Sequence, residues 1–191
     1  MSAINPNKET KVKHKSWVYR ERIPTDICDI IVQEFKDREY NHGMVGSGYF
    51  NDKSRLVKTI PISKDHWCLG ILMYFGFDAN IENFQYKVTH LDFTNFLIYE
   101  PGMFYAPHND ISSNVNDPTH LRKLTVILQL SDDSDYEGGN ILLYSNLKPY
   151  TMPRTKGSII VFDSSLTHCV SKLTKGIRYS LCGWISGPPF A

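Results

Sequence analysis

A histidine and an aspartate stand two residues apart in "APHNDISS", where His108 and Asp110 flank Asn109. In an extended strand successive side chains point to opposite faces, so these two emerge on one side and a ring nitrogen converges with a carboxylate. Taken alone, such a triplet is more often an ordinary strand end. It carries chemistry when a second histidine and an anion-binding residue arrive from elsewhere, and the chain supplies both. His168 follows a serine-rich turn in "FDSSLTHCVSK", and Arg178 stands second in "IRYSLCGW". In extended chain Arg178, Ser180, Cys182 and Trp184 share a face, which gathers a guanidinium, a hydroxyl and an indole. The apolar neighbours Ile177 and Leu181 point to a buried strand, and a buried arginine calls for an anionic partner.

Two histidines and one carboxylate on rigid strands form the facial triad of non-haem iron(II) oxygenases, which leaves coordination positions open. A planar guanidinium matches a carboxylate through two parallel hydrogen bonds, which a lysine ammonium does not reproduce. With its HxD, a distant His, and an Arg followed two residues on by Ser, the chain resembles the 2-oxoglutarate and iron(II)-dependent dioxygenases. The stretches "FLIYEPGMFYAPHND", "RKLTVILQLSDDSDYEGGNILLY" and "GSIIVFDSSLTHCVSKLTKGIRYSLCGWI" are similar to the prolyl 4-hydroxylase-like branch, including the PKHD-type hydroxylases. That likeness covers roughly the C-terminal half.

The resemblance implies His108, Asp110 and His168 as iron(II) ligands, and Arg178 with Ser180 as partners of the distal carboxylate of 2-oxoglutarate. It implies Tyr99 as a hydrogen-bonding partner of the cosubstrate, with Tyr105 and Thr125 as further candidates and Trp184 as an aromatic beside the site. The activity it implies is hydroxylation of a C–H bond by O2, with 2-oxoglutarate converted to succinate and carbon dioxide, and ascorbate as an accessory reductant. The branch points to a prolyl residue of a peptide or protein as substrate. A free amino acid, another small molecule or a nucleobase is the alternative, and a jelly-roll protein that holds a metal without oxidising anything is a reading from a different class. A carboxylate clamp has no use in such a metal holder.

The positioning elements are legible in the texture of the chain. Beyond Tyr86 it breaks into short β-rich runs separated by Gly, Pro, Asp and Asn, the spacing of an all-β sandwich or barrel. In "LTVILQL" Leu124, Val126, Leu128 and Leu130 share one face and Thr125, Ile127 and Gln129 the other, so one face is core and the other suits a cavity lining. The expected architecture is mainly β with N-terminal supporting helices: a double-stranded β-helix, or jelly roll, of two facing antiparallel sheets. Ile27, Ile30, Ile31 and Phe35 have helical spacing after a Thr25 or Asp26 cap, and residues 63–75 read as a second helix capped by Ser63. Residues 41–55 and 111–120 read as long loops able to cover a cavity mouth. "DDSDYEGGN" imitates a calcium loop, but Tyr144 stands where the closing glutamate should fall, so an acidic turn is expected.

The expected organisation is a basic, loosely held arm over residues 1–22 and one domain over 23–191, with helical support at 23–85 and the jelly-roll core at 86–187. With 191 residues the chain is long enough to bury a core without disulfides. Lys and Arg total 21 against 20 Asp and Glu, a balance that argues against a surface built for nucleic acid. Cys28, Cys68, Cys169 and Cys182 have no metal or disulfide spacing and read as thiols of a reducing compartment, the cytoplasm. No apolar run is long enough to span a bilayer. Oligomeric state is open at this point.

Overall fold

A computed structural model of the chain describes residues 14–45, 49–111, 113–114, 117–145 and 148–190. In chain order, β1 (Ser16–Tyr19) precedes helix α1 (Thr25–Phe35). Short strands follow as β2 (Asn41–His42), β3 (Met44–Val45), β4 (Tyr49–Phe50), β5 (Arg55–Leu56) and β6 (Lys58–Pro61). Helix α2 (Leu69–Ala79) runs into a π-helical turn at Asn80–Phe84. Then come β7 (His90–Tyr99), β8 (Phe104–His108), β9 (Ser113–Asn114), β10 (Asp117–Gln129), β11 (Tyr136–Glu137) and β12 (Ile141–Tyr144). The chain finishes with β13 (Tyr150–Thr151), β14 (Ile159–Asp163), β15 (Thr167–Val170), β16 (Lys175–Gly176) and β17 (Arg178–Gly187).

Strands β3 with β4 and β11 with β16 form separate two-stranded ribbons, while the others build two facing antiparallel sheets. The larger has the order β1-β14-β10-β17-β7-β6-β2, with β9 also paired to β10, and the smaller has the order β13-β12-β15-β8-β5. The mixed alternation of β10 sorts as the sequence implies. Leu124, Val126, Leu128 and Leu130 join the layer beneath the helices, while Ile127 joins the layer between the sheets with Leu97, Ile141, Leu143 and Phe162. The fold is therefore a jelly roll braced on one sheet by helices. Helix α1 buries Cys28, Ile31 and Phe35, and α2 buries Leu69, Leu72, Gly76 and Ala79. Gly76 permits the approach of α2 to the sheet, since a Cβ there would lie 2.3 Å from Ile185 Cδ1 and 2.9 Å from Val126 Cγ2.

Several local expectations are corrected. Ile30 is exposed, because the buried stripe of α1 runs through Cys28, Ile31 and Phe35. Thr25 and Asp26 lie inside the first turn of α1, after Pro24, and neither caps it by a side-chain bond. Ser63 bonds Asp65 in a preceding turn, and α2 starts later, at Leu69. The region expected as a basic arm contributes β1, whose Trp17 and Tyr19 pack on the core beneath the helices; residues 1–13 lie outside the described residues. Within 23–85, β6 pairs with β7 and β5 with β8, so this segment also extends both sheets. Residues 41–55 thus carry strands as well as turns, with 46–48 outside the described residues. Of 111–120, the backbone at 113–114 pairs with β10, while 112 and 115–116 lie outside the described residues. Two-residue strands carry too little periodicity to be read from sequence.

All four cysteines are free and buried. Among the described residues no helix is long and apolar enough to cross a membrane. The acidic turn is held by Asp132, whose Oδ1 accepts from Ser134 N at 3.0 Å and Ser134 Oγ at 2.8 Å.

Candidate active site

The pairing of β15 with β8 sets His168 directly opposite His108, which brings residues sixty apart in sequence into one place. Asp110 lies just past the end of β8 rather than within a strand. Its position comes from its backbone N–H, which donates to Ser164 O at 2.8 Å. The ligand atoms of His108, Asp110 and His168 all lie within 4.8 Å of one another, the sole such grouping of His, Cys, Asp and Glu among the described residues. His108 Nε2 is 3.5 Å from Asp110 Oδ1, and His168 Nε2 is 3.3 Å from Asp110 Oδ2.

The tautomers follow from the backbone. His108 Nδ1 faces Ala106 O at 2.8 Å and His168 Nδ1 faces Leu166 O at 3.0 Å. A carbonyl only accepts, so each Nδ1 carries the proton and each Nε2 turns a lone pair into the shared space. Asp110 completes an N2O donor set suited to a divalent first-row metal. Burial raises the Asp110 pKa, but when both imidazoles are protonated the hydrogen bonds from Nε2–H of His108 and His168 outweigh it and hold the carboxyl well below the usual range; a metal ion would take the place of those protons. Thr125 Oγ1 donates to Asp110 Oδ2 at 2.8 Å and lies 3.1 Å from Ser164 Oγ. Expected as a cosubstrate contact, the Thr125 hydroxyl is instead committed to the carboxylate.

Along β17, Arg178, Ser180, Cys182 and Trp184 face the space between the sheets, as alternation requires. Arg178 is 1% exposed and opposite Tyr99 in the register, with its guanidinium 5.4 Å from the Tyr99 ring centroid. Its partner is the neutral Gln129, whose Oε1 accepts from Arg178 Nη2 at 2.8 Å. Gln129 is turned that way because its Nε2 donates to Pro153 O at 2.9 Å. Arg178 Nε and Ser180 Oγ are buried with no hydrogen-bond partner among the described residues. A buried cation facing an amide, beside an unpartnered hydroxyl, is costly unless an anion fills the gap. A ligand carboxylate meets that need, so the residues present fit 2-oxoglutarate as they fit iron(II).

Against the triad lies a cavity lined by Tyr99, Tyr105, His108, Asp110, His168 and Trp184, together with Arg55 and apolar side chains; Arg178 stands behind Tyr99, its register partner, rather than in the cavity wall. Tyr105 stacks on His108 at 3.5 Å between centroids, and the Arg55 guanidinium lies 4.5 Å from the Tyr105 ring centroid. Burial pushes the Tyr99 hydroxyl up to about 12 and raises that of Tyr105, so both remain protonated donors at neutral pH. Trp184 stacks on Phe93 and carries Arg122 over its ring at 4.1 Å. Arg55, Gln129 and Ser164 escaped the sequence reading as site residues. Only Gln129 left a signal, as a polar residue on the mixed face of β10.

Fold, donor set and orphaned guanidinium together define a 2-oxoglutarate-binding iron(II) oxygenase. A family model described as the 2OG-Fe(II) oxygenase superfamily matches residues 94–186, just under half of the chain. The relatives it matches are PKHD-type hydroxylases, and its fold is that of a solved prolyl-4-hydroxylase. It is 26% identical to a PKHD-type hydroxylase of Crocosphaera subtropica over 84% of this chain and 72% of that protein. Matches to other PKHD-type hydroxylases are shorter, spanning 39% of the length of two from Synechococcus. Among solved structures, a Pseudomonas putida prolyl-4-hydroxylase superimposes with a TM-score of 0.72 at 20% identity, over 90% of this chain and 92% of that one. A Trichoplax adhaerens prolyl hydroxylase in complex with a hypoxia inducible factor peptide fragment gives a TM-score of 0.71 at 17% identity, over 90% and 83%.

Proposed function

We propose that this chain hydroxylates a prolyl residue of a peptide or protein, with iron(II) held by His108, Asp110 and His168. The distal carboxylate of 2-oxoglutarate is held by Arg178 and Ser180. The observation that carries the cosubstrate is Arg178, buried opposite a neutral amide with its Nε unpartnered beside the unpartnered Ser180 Oγ. Iron(II) and 2-oxoglutarate, when bound, supply the oxidant for a C–H bond, with succinate and carbon dioxide as coproducts. Ascorbate serves as accessory reductant. The chain's own residues do the positioning. The histidine Nδ1 contacts fix which nitrogen faces the metal, Thr125 fixes the carboxylate, and the apolar layer around Leu97, Ile127 and Ile141 keeps bulk water from the reacting centre.

The prolyl substrate is supported by the similarity to prolyl hydroxylases, and by a separate groove that shares Arg55 with the metal cavity. Asn41, His42, Thr59, Pro61, Phe93 and Asn95 line that groove. An extended peptide suits it, and the locked φ of proline lowers the entropy lost on immobilisation. The test has two arms. Anaerobic titration with iron(II) and 2-oxoglutarate should develop the visible charge-transfer band of the chelate. Proline-rich peptides should then gain one oxygen atom at proline in step with succinate release. Succinate without modified peptide, across a varied peptide set, refutes the prolyl substrate and leaves amino acids and nucleosides as the next substrates to assay.

A further inference from the structure

We infer that Asp163 is a positioning residue for the metal ligands, acting through the turn that joins β14 to β15. This rests on reading His108, Asp110 and His168 as ligands of iron(II). Asp163 is the last residue of β14 and is 4% exposed. Its Oδ1 accepts from Ser165 N at 2.9 Å and Ser165 Oγ at 2.7 Å, while its Oδ2 accepts from Tyr86 OH at 2.6 Å and Lys15 Nζ at 3.2 Å. Its carbonyl accepts from Leu166 N at 2.9 Å, closing the turn. Both carboxylate oxygens are therefore spent on holding residues 163–166 against Tyr86 and the N-terminal strand.

Three links run from this turn to the triad. Ser164 O accepts the backbone N–H of Asp110 at 2.8 Å. Ser164 Oγ lies 3.1 Å from Thr125 Oγ1, which donates to Asp110 Oδ2. Leu166 O takes the Nδ1 proton of His168, fixing the tautomer and ring plane of that ligand. Two of three ligands thus take their orientation from a turn whose shape Asp163 sets. A buried carboxylate gives little net stability over an apolar residue of similar volume, whereas it can impose one geometry on the donors around it. Outer residues that orient ligands typically change metal affinity by about 10- to 100-fold when removed.

The experiment titrates cobalt(II) into the full-length apoprotein, without 2-oxoglutarate, and reads its d–d absorption. Asp163→Ala should weaken cobalt(II) by about tenfold or more and alter the band envelope, with Asp163→Asn, which keeps an acceptor for Ser165, recovering part. Tyr86→Phe should weaken it by about threefold, as one step further out. The control is Val161→Ala on the same strand, whose side chain lies in the layer beneath the helices and whose loss lowers stability without touching the turn. A folded Asp163→Ala with parent affinity overturns the inference, as does an equal loss in Val161→Ala. Should Asp163→Ala not fold, parent affinity in Tyr86→Phe overturns it. His168→Ala separates the two levels: if it binds cobalt(II) like the parent, the ligand reading falls too, whereas its loss beside an unaffected Asp163→Ala removes the positioning role alone.

Discussion

Arg178 Nη2 donates to Gln129 Oε1 at 2.8 Å, and among the described residues no carboxylate forms an ion pair with this guanidinium. A buried arginine in a finished core would face an acid. Here it faces an amide whose other end is tied to a backbone carbonyl, which leaves the positive charge for a ligand to neutralise.

Replacing that amide with an acid should therefore compete with the cosubstrate. Gln129→Glu places a carboxylate against Arg178 and should raise the dissociation constant of 2-oxoglutarate with iron(II) binding unchanged. Arg178→Ala should cost the cosubstrate about 2–5 kcal/mol, the range for truncating one partner of a buried charge pair, and Arg178→Lys should recover part. Calorimetric titration of 2-oxoglutarate into the metal-loaded protein checks all three. Unchanged affinity in Arg178→Ala would remove the clamp.

Thr125 should tune the metal and leave the cosubstrate alone. Thr125→Val keeps the shape but deletes the donor to Asp110 Oδ2, a hydrogen bond to a charged group worth about 1.5–3 kcal/mol. Iron(II) affinity should fall by about tenfold, while 2-oxoglutarate affinity at saturating metal holds. A cosubstrate defect without a metal defect would return Thr125 to its expected role as a cosubstrate contact.

Acid sensitivity should pass partly through Asp163. Burial raises its pKa, but the hydrogen bonds from Ser165 and Tyr86 prevail and hold it below the ordinary carboxylate value. A carboxyl depressed in the native state contributes stability that is present above its unfolded pKa, about 3.9, and is lost as pH falls through the lower native value. The melting-temperature gap between parent and Asp163→Asn should accordingly be widest near neutrality and narrow below about pH 4. A gap independent of pH would mean that the charge contributes nothing.

Gly157 should not tolerate a side chain. Its φ is +78°, and a Cβ there would lie 2.1 Å from Ile23 O, the backbone it must meet for Ile23 N to donate to Gly157 O. Gly157→Ala should cost about 1–3 kcal/mol from the backbone conformation alone, with the clash adding to it. Urea denaturation measures this, and a loss below about 0.5 kcal/mol, the ordinary surface-substitution range, would contradict the strained geometry.

The sequence by itself determined the jelly roll and the donor types. Long strands such as β7, β10 and β17 repeat their alternation often enough to declare which face is buried; residue type and spacing singled out His108, Asp110, His168 and Arg178 as candidates, and the resemblance to dioxygenases added Ser180. What only the tertiary structure decided is who meets whom. The pairing of β15 with β8 put His168 opposite His108; β10 beside β17 gave Arg178 the neutral Gln129; and a turn after β14 supplied Ser164 to Asp110 and Thr125. Arg55 reached the cavity on a two-residue strand in a stretch without period. Such contacts join positions tens of residues apart, and the free energy that selects them belongs to sheet register and packing of the whole domain. No local pattern encodes it.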